Sequence, residues 1–373
     1  MHPVLGVIGA GQLARMMIAP ATELGIDIRV FGETAGESAS LAVERIGDAR
    51  DGDALLRFVR ETGADAVTFD HEHVPQDALA VLVEAGVAVH PAPHALLYAQ
   101  DKLLMRERLG DLGLPMPDWA RVETASDVDA FLAEHGGRAV LKTPRGGYDG
   151  KGVRIVASGA EAEDWLVGGA LLIEELVRFQ REVSQLVARR PSGEIALWPL
   201  VETIQRDGVC AEVIAPAPAS AGLLADAAAD IATRIAATLD VTGVLAVELF
   251  HTVDDRLLIN ELATRPHNTG HWTQDGSITS QFEQHVRAVL DLPLGGTALT
   301  APFSVMVNVL GGPLSGGVTD RYPAALADQP DVKFHAYGKS PRPGRKVGHV
   351  TATGDELDEV VYRARAAAAF FEN

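Results

Sequence analysis

Two glutamates at strand spacing are the first residues of this chain that could do chemistry together. Residues 244–250 form an apolar run with Glu248 inside it, and a second apolar run begins at Ile259 and holds Glu261. Asp254-Asp255 between them is a turn signal, and a hairpin centred on that pair sets Glu248 opposite Glu261 on one face of a sheet. Like charges directly opposed are destabilising. At ~4–5 Å and an effective dielectric of ~20 the repulsion is about 3–4 kcal/mol. Such a pair needs a cation or a shared proton; otherwise the register differs and the two acids are solvated. Ligands that are all oxygen suit Mg²⁺, usually shared with phosphates. The second run then opens into a turn carrying Arg265, His267, Asn268, Thr269 and His271, so guanidinium, imidazole and amide groups follow closely on the acids.

Four other clusters carry chemistry. Residues 142–152 read Lys-Thr-Pro-Arg-Gly-Gly-Tyr-Asp-Gly-Lys-Gly, a glycine-rich loop between two strands. It lacks the strand-to-helix setting and the Gly-Lys-Ser/Thr of a P-loop. With Lys151 in the loop and Lys142 on the strand, it suits a lid over a triphosphate, or it is an ordinary hairpin. Residues 171–177 form a strand bearing Glu174-Glu175, and Glu182 opens the next strand. An adenine can lie against such a strand while an acid takes ribose hydroxyls; solvated acids are the alternative. Lys339, Arg342, Arg345 and Lys346 put four positive charges within eight residues, in a loop fixed by Pro341, Pro343 and Gly344. That is a candidate phosphomonoester site, or a solvated basic loop. Asp70, His71, Glu72 and His73 follow a strand at the sheet edge where α/β folds bind ligands; they fit a sugar hydroxyl, a metal, or solvent.

The N-terminal turn Gly9-Ala10-Gly11-Gln12-Leu13-Ala14 joins a strand to a helix, with Glu33 about 20 residues on. This is the spacing of a dinucleotide fingerprint, so a nicotinamide-dependent dehydrogenase is one reading. Ala14 stands in place of the third glycine, and doubly wound folds carry such turns without a dinucleotide. Neither a Gly-x-Ser-x-Gly elbow nor a His-Glu-x-x-His pair is present.

The elements that must position these residues follow from pattern. Residues 1–98 alternate strand and helix: strands at 4–8, 26–31, 66–69 and 87–90, helices at 12–19, 51–62 and 76–85. This is a doubly wound parallel α/β segment. Residues 99–118 read as helical, and 119–190 as a smaller unit with strands at 139–142, 153–156 and 171–174. A β-pair at 182–188 and 195–199, a helix at 219–239 and the 244–262 hairpin come next. Short strands at 305–310, 332–337 and 346–351 and a helix at 355–371 close the chain. The expected divisions are 1–98, 99–190, 191–300 and 301–373.

Bulk composition narrows the partners. The 373 residues are 47% hydrophobic and 22% charged, as in a globular protein with a sizeable core. A formal charge of −19 argues against nucleic acid or anionic membrane. Anionic ligands must therefore be held by local positive clusters. Six of the 32 basic residues are lysine, namely Lys102, Lys142, Lys151, Lys333, Lys339 and Lys346, and most lie beside the motifs above. Lysine acts on phosphate as a point charge. The single cysteine, Cys210, excludes an internal disulfide and fits a reducing cytoplasm. The first 20 residues read as strand, turn and helix rather than a signal peptide, and no apolar run reaches membrane-spanning length.

Taken together, the motifs resemble the ATP-grasp superfamily and, within it, the 5-(carboxyamino)imidazole ribonucleotide synthase family of purine biosynthesis. The resemblance runs over nearly the whole chain and is most specific in Arg265-Pro-His-Asn-Thr-Gly-His-Trp-Thr-Gln274 and the basic 337–349 loop. It implies an ATP-grasp fold with an N-terminal doubly wound α/β domain, a small lid and a β-rich C-terminal part, α+β overall. It implies ATP, bicarbonate and 5-aminoimidazole ribonucleotide as substrates, carboxyphosphate as intermediate, Mg²⁺, and a cytoplasmic homodimer. By matching position, Lys102, Lys142, Gly147, Tyr148, Asp149, Gly150, Lys151, Gly152 and Val153 should bind or cover the ATP phosphates. Glu174, Glu175, Leu176 and Val177 should line the adenine, with Glu182 on the ribose and Gln205 near the nucleotide. Glu248 and Glu261 should ligate Mg²⁺ beside Asn260. Arg265, His267 and Asn268 should handle bicarbonate and carboxyphosphate. Gln12, Glu72, Tyr148, Asp149, Thr269, Lys339, Arg345 and Lys346 should contact the ribonucleotide. Three positions depart from the family pattern: Gln205 replaces a nucleotide-contacting histidine, Thr264 a proline and Thr269 a serine. The surroundings of Glu72 are also atypical. A formate-using ribonucleotide transformylase and a non-catalytic nucleotide-binding regulator are the alternatives within reach of the same motifs.

Overall fold

In this computed structural model, which describes residues 2–147, 150–218 and 222–372, three sheets organise the chain. The first contains β1 (Val4–Ile8), β2 (Asp27–Gly32), β3 (Val43–Ile46) and β4 (Ala66–Phe69), all parallel, in the order β3-β2-β1-β4. The order reverses at β1, so a crevice opens beyond the carboxyl ends of β1 and β4, where open α/β sheets bind ligands. The 87–90 strand expected from the sequence is reduced to a single bridge at Val89. Pro91 follows directly and has no N–H to continue the ladder.

The 9–14 turn is already filled. Asp70, just past β4, accepts from the N–H groups of Gly11 (3.0 Å) and Ala14 (2.7 Å) at the start of the helix Gln12–Glu23. A Cβ on Gly11 would lie 2.1 Å from Asp70 Oδ2. The glycine thus admits the chain's own carboxylate at the place where a dinucleotide would seat its pyrophosphate, which removes the basis of the dehydrogenase reading.

A second sheet holds β5 (Trp119–Val122), β6 (Ala139–Lys142), β7 (Val153–Val156) and β8 (Leu171–Glu175), antiparallel in the order β5-β8-β6-β7. It packs on the helix Ala125–Glu134 through Val128, Phe131, Leu141 and Ile173.

The third sheet has nine strands: β9 (Phe179–Arg189), β10 (Ile195–Leu197), β11 (Val201–Arg206), β12 (Val209–Ala215), β13 (Gly243–Thr252), β14 (Leu257–Ala263), β15 (Phe303–Leu310), β16 (Lys333–Ala336) and β17 (Lys346–Gly354). Its order is β14-β13-β9-β11-β12-β15-β17-β16, with β10 on β9. β9 belongs to this sheet rather than to the small one, although 190 is the expected division. β11 and β12 escaped the sequence reading because polar Glu202, Gln205, Arg206 and Glu212 interrupt their apolar runs. Their turn did carry a signal. Asp207 and Gly208 both have positive φ (52° and 76°) and connect Arg206 directly to Val209, a two-residue hairpin of the Asp-Gly kind.

The helix Gln281–Val289 couples the first and third sheets. The imidazole of His285 accepts at Nδ1 from the Val244 N–H of β13 (3.0 Å), and its Nε2 meets Thr68 Oγ1 of β4 at 2.7 Å.

Candidate active site

One cleft of about 1410 Å³ lies between the crevice of the first sheet, the lid sheet, β13–β14 and the 339–346 loop. A single small-molecule site is usually ~300–1,000 Å³, so this cleft has room for more than one substrate. Among the described residues, its walls take in every binding and catalytic candidate that the family resemblance implies except Gly152 and Thr269. The expected contacts of Tyr148 and Asp149 lie outside the described residues.

The acid pair sits at the centre. β13 and β14 pair with Glu248 opposite Glu261, the register expected from the turn. Beyond that pair the ladder slips, so that Leu249 faces Ile259 and Asn260 is the extra residue of a β-bulge. The Asn260 carbonyl accepts instead from Arg106 Nη2 (2.7 Å), and its side-chain oxygen accepts from Lys142 Nζ (3.0 Å). Burial, then repulsion from Glu261 and Glu182, pushes Glu248 up to about 8.

The lysines face this pair from two elements. Lys102 opens the helix Lys102–Asp111, which Asp101 caps, and its Nζ lies 2.5 Å from Glu261 Oε1. Arg106 follows one turn later on the same helix face and is fully buried, with Nε 2.5 Å from Glu174 Oε1. Lys142 Nζ lies 2.6 Å from the other Glu174 oxygen. Burial alone would raise the Glu174 carboxyl, but Arg106 and Lys142 outweigh it and hold it below the usual range. Glu174 thus anchors two cations, and the lining of this wall continues through Glu175, Leu176 and Val177. Burial raises Glu182, and a hydrogen bond with Gln205 partly offsets this. Arg106 was missed by motif reading, although its spacing of four from Lys102 was a usable signal.

Past the acids, the chain leaves β14 and is held by side chains. Arg265 Nε lies 2.6 Å from Glu72 Oε2, across from the first sheet. His267 Nε2 lies 3.2 Å from Glu248 Oε1, and its Nδ1 lies 3.0 Å from Thr269 Oγ1. Thr269 is buried behind the imidazole and bonded to Ser184 (2.9 Å), so it holds His267 from outside the cleft wall instead of lining it as expected. Asn308 Nδ2 donates to Asn268 Oδ1 (3.1 Å). Burial, then Arg265 and Lys346, lower His267 well below its ordinary value, so the ring is neutral. At the far end Lys339 bonds Gln12, and Arg345 donates to the Ser340 carbonyl (3.2 Å), which folds the basic loop over the crevice.

Three buried imidazoles, and the partly buried His267 of the cleft wall, carry a consequence for stability. Burial is the leading cause that lowers His267, His271, His285 and His349, with His285 brought to about 3. The unfolded chain binds protons at these sites below about 6.5, and the folded chain does not. Stability is therefore complete above that pH and falls as pH drops, by up to about 1.4 kcal/mol per pH unit for each histidine. Thermal unfolding followed from pH 7 to pH 5 should show a steeply falling midpoint; a flat profile would contradict these neutral states.

Comparison with known proteins agrees with this geometry. A model of the ribonucleotide synthetase preATP-grasp domain matches residues 1–100, the ATP-grasp domain matches 107–282, and the phosphoribosylaminoimidazole carboxylase C-terminal domain matches 304–363. An N5-carboxyaminoimidazole ribonucleotide synthase of Mycobacterium tuberculosis is 48% identical over 98% of this chain and 87% of its own length. The chain belongs to the N5-carboxyaminoimidazole ribonucleotide synthase family. Solved structures of that family have the same fold: the Thermus thermophilus synthetase gives a TM-score of 0.89 at 37% identity, covering 99% of both chains. The Aspergillus clavatus synthase in complex with ADP and 5-aminoimidazole ribonucleotide gives 0.88 at 28% identity, over 99% of this chain and 98% of that one. The ATP-grasp architecture of this N5-carboxyaminoimidazole ribonucleotide synthase family accounts for the three sheets and the cleft between them.

Proposed function

We propose that this chain is an ATP-dependent carbon–nitrogen ligase that carboxylates the exocyclic amine of 5-aminoimidazole ribonucleotide with bicarbonate, giving the N-carboxy product, ADP and phosphate. One observation carries the reading: a single cleft joins the Glu248–Glu261 pair to the basic 339–346 loop, with Arg265, His267 and Asn268 between them. ATP at the acid end phosphorylates bicarbonate, and the resulting carboxyphosphate delivers its carbon to the amine of a ribonucleotide held at the basic end.

Each residue has a physical part in this. Phosphoryl transfer is mostly positioning and charge neutralisation. Lys102 and Lys142 neutralise the ATP phosphates while the 147–153 loop covers them, and residues 174–177, Glu182 and Gln205 hold the nucleoside. Arg265, His267 and Asn268 orient bicarbonate and carboxyphosphate, which is short-lived in water, so exclusion of solvent matters. Gln12, Glu72, Tyr148, Asp149, Lys339, Arg345 and Lys346 hold the ribonucleotide, and Thr269 serves through His267. Mg²⁺ fits Glu248 and Glu261: the paired carboxylates repel each other, and a cation would relieve this. Among the described residues no group of three or more His, Cys, Asp or Glu converges on a metal, so the ion would complete its shell with phosphate oxygens and water. When bound, it neutralises phosphate charge.

In this reading the 1–98 segment supplies ribonucleotide contacts, 99–175 the linker helix and lid, 179–300 the catalytic strands and 301–373 the closing wall. The enzyme works in the cytoplasm as a homodimer, without nucleic acid or membrane. No helix among the described residues is long and apolar enough to cross a membrane.

Isotope-labelled bicarbonate should enter the ribonucleotide only when ATP is present, and formate should not replace it. Incorporation of formate instead would favour a transformylase. Lys346→Ala should raise the KM for ribonucleotide roughly 10- to 100-fold, as loss of a charge-assisted contact does, with the KM for ATP little changed. A shift in ATP affinity instead would mean that the basic loop serves the nucleotide.

A further inference from the structure

The backbone of His267 has no strand to pair with, yet it lies in a buried part of the molecule. It is extended (φ −122°, ψ 156°), and the ladder of β14 has already ended at Ala263. The His267 carbonyl accepts from the Gly270 N–H within the turn (3.0 Å), but without a further partner the His267 N–H would be a polar group left unsatisfied. Gln281 supplies the partner of that N–H and a second partner for the carbonyl. Its Oε1 accepts from the His267 N–H (2.8 Å), and its Nε2 donates to the His267 carbonyl (2.7 Å) and to His271 Nδ1 (3.0 Å). One amide thus grips the backbone of one residue at both its N–H and its C=O, as a neighbouring strand would.

The grip is built rather than incidental. Gln281 is fully buried at the start of the helix Gln281–Val289. His285, one turn on along the same helix face, pins that helix to β4 and β13. The Gln281 N–H donates to Thr273 Oγ1 (2.8 Å), whose hydroxyl donates to the Gly270 carbonyl (2.5 Å). Position 270 must be glycine for the amide to fit, since a Cβ there would lie 2.3 Å from Gln281 Oε1. Other ties of the 265–269 loop act on side chains: Glu72 on Arg265, Asn308 on Asn268 and Thr269 on the His267 ring. Only Gln281, among the described residues, bonds the His267 peptide through a side chain from outside the loop.

We propose that Gln281 is a positioning residue for the carboxyphosphate step, fixing the peptide that aims the His267 imidazole into the cleft beside Glu248. The proposal rests on the ligase reading above. Its consequence is coupling. A misaimed His267 leaves ATP and ribonucleotide sites intact but lets carboxyphosphate break down in water before its carbon reaches the amine.

The test uses Gln281→Met, which keeps length but makes no such bonds, and Gln281→Glu, which keeps the acceptor for the His267 N–H but loses the donor. Phosphate released is compared with labelled carboxylated ribonucleotide formed, with ADP binding and thermal unfolding as controls for folding. A displacement on the order of 1 Å costs roughly 100-fold, so carboxylation should slow by roughly 10- to 100-fold. Phosphate released per product should rise well above one, with the KM values for ATP and ribonucleotide changed by less than about threefold. Coupling that stays at one phosphate per product, with activity lost only in proportion to folded protein, would overturn the proposal. If Gln281→Met does not fold, Gln281→Glu decides by the same ratio. A wild-type chain that forms no carboxylated ribonucleotide would instead overturn the ligase reading, and is recognised before any variant is made.

Discussion

Glu261→Gln should leave the chain folded and remove its turnover, by roughly 100- to 1,000-fold or more in kcat, the scale set by losing one group that stabilises transition-state charge. The bulge at Asn260 keeps Glu261 facing Glu248 while it turns Asn260 toward Lys142. The carboxylate also lies 2.5 Å from Lys102 Nζ. Glutamine has nearly the same shape but no charge, so it ligates Mg²⁺ poorly and leaves Lys102 without its ion pair. Folding should not suffer, because the substitution removes the repulsion that helps push Glu248 up to about 8. The expected signature is therefore an unchanged or higher melting temperature in the ligand-free protein, together with lost phosphate release. Near-normal turnover would refute the ligand assignment.

Glu174→Ala should act in the opposite way and destabilise the fold by about 3–5 kcal/mol, the cost of stranding a buried charge. Glu174 is only 2% exposed, and it receives Arg106 at 2.5 Å and Lys142 at 2.6 Å. Arg106 is fully buried, and its Nη1 already has no hydrogen-bond partner among the described residues. Without Glu174, that guanidinium keeps, among the described residues, the Asn260 carbonyl (2.7 Å) alone, and the bulge that aims Asn260 loosens with it. Denaturant unfolding measures the loss. Pairing Glu174→Leu with Arg106→Met should recover most of it, because apolar side chains of similar volume replace buried ion pairs at little cost. A loss below about 1 kcal/mol for Glu174→Ala would mean that the ion pair is dispensable.

These two glutamates mark what could be read from the sequence. Glu261 was legible because a period-two strand and a turn signal together fix which residues face each other. The Arg265–Thr269 run, the 339–346 loop and the parallel N-terminal segment were legible for similar local reasons. Glu174 was legible as a carboxylate at the end of a strand, but its partner Arg106 was not, because their contact depends on how a helix from one segment meets a strand of another. Gln281 gave no signal at all: its amide meets His267 through a tertiary contact fourteen residues away in sequence. The β11–β12 hairpin was missed for a different reason, since its Asp207-Gly208 turn was present but Glu202, Gln205, Arg206 and Glu212 interrupt the apolar runs of its strands.

Phosphate release from ATP, measured with bicarbonate and with or without 5-aminoimidazole ribonucleotide, tests the central claim most directly. The cleft that joins Glu248 and Glu261 to Lys339, Arg345 and Lys346 predicts slow release from ATP and bicarbonate alone and a strong rise when the ribonucleotide is added. A rate indifferent to the ribonucleotide would contradict it.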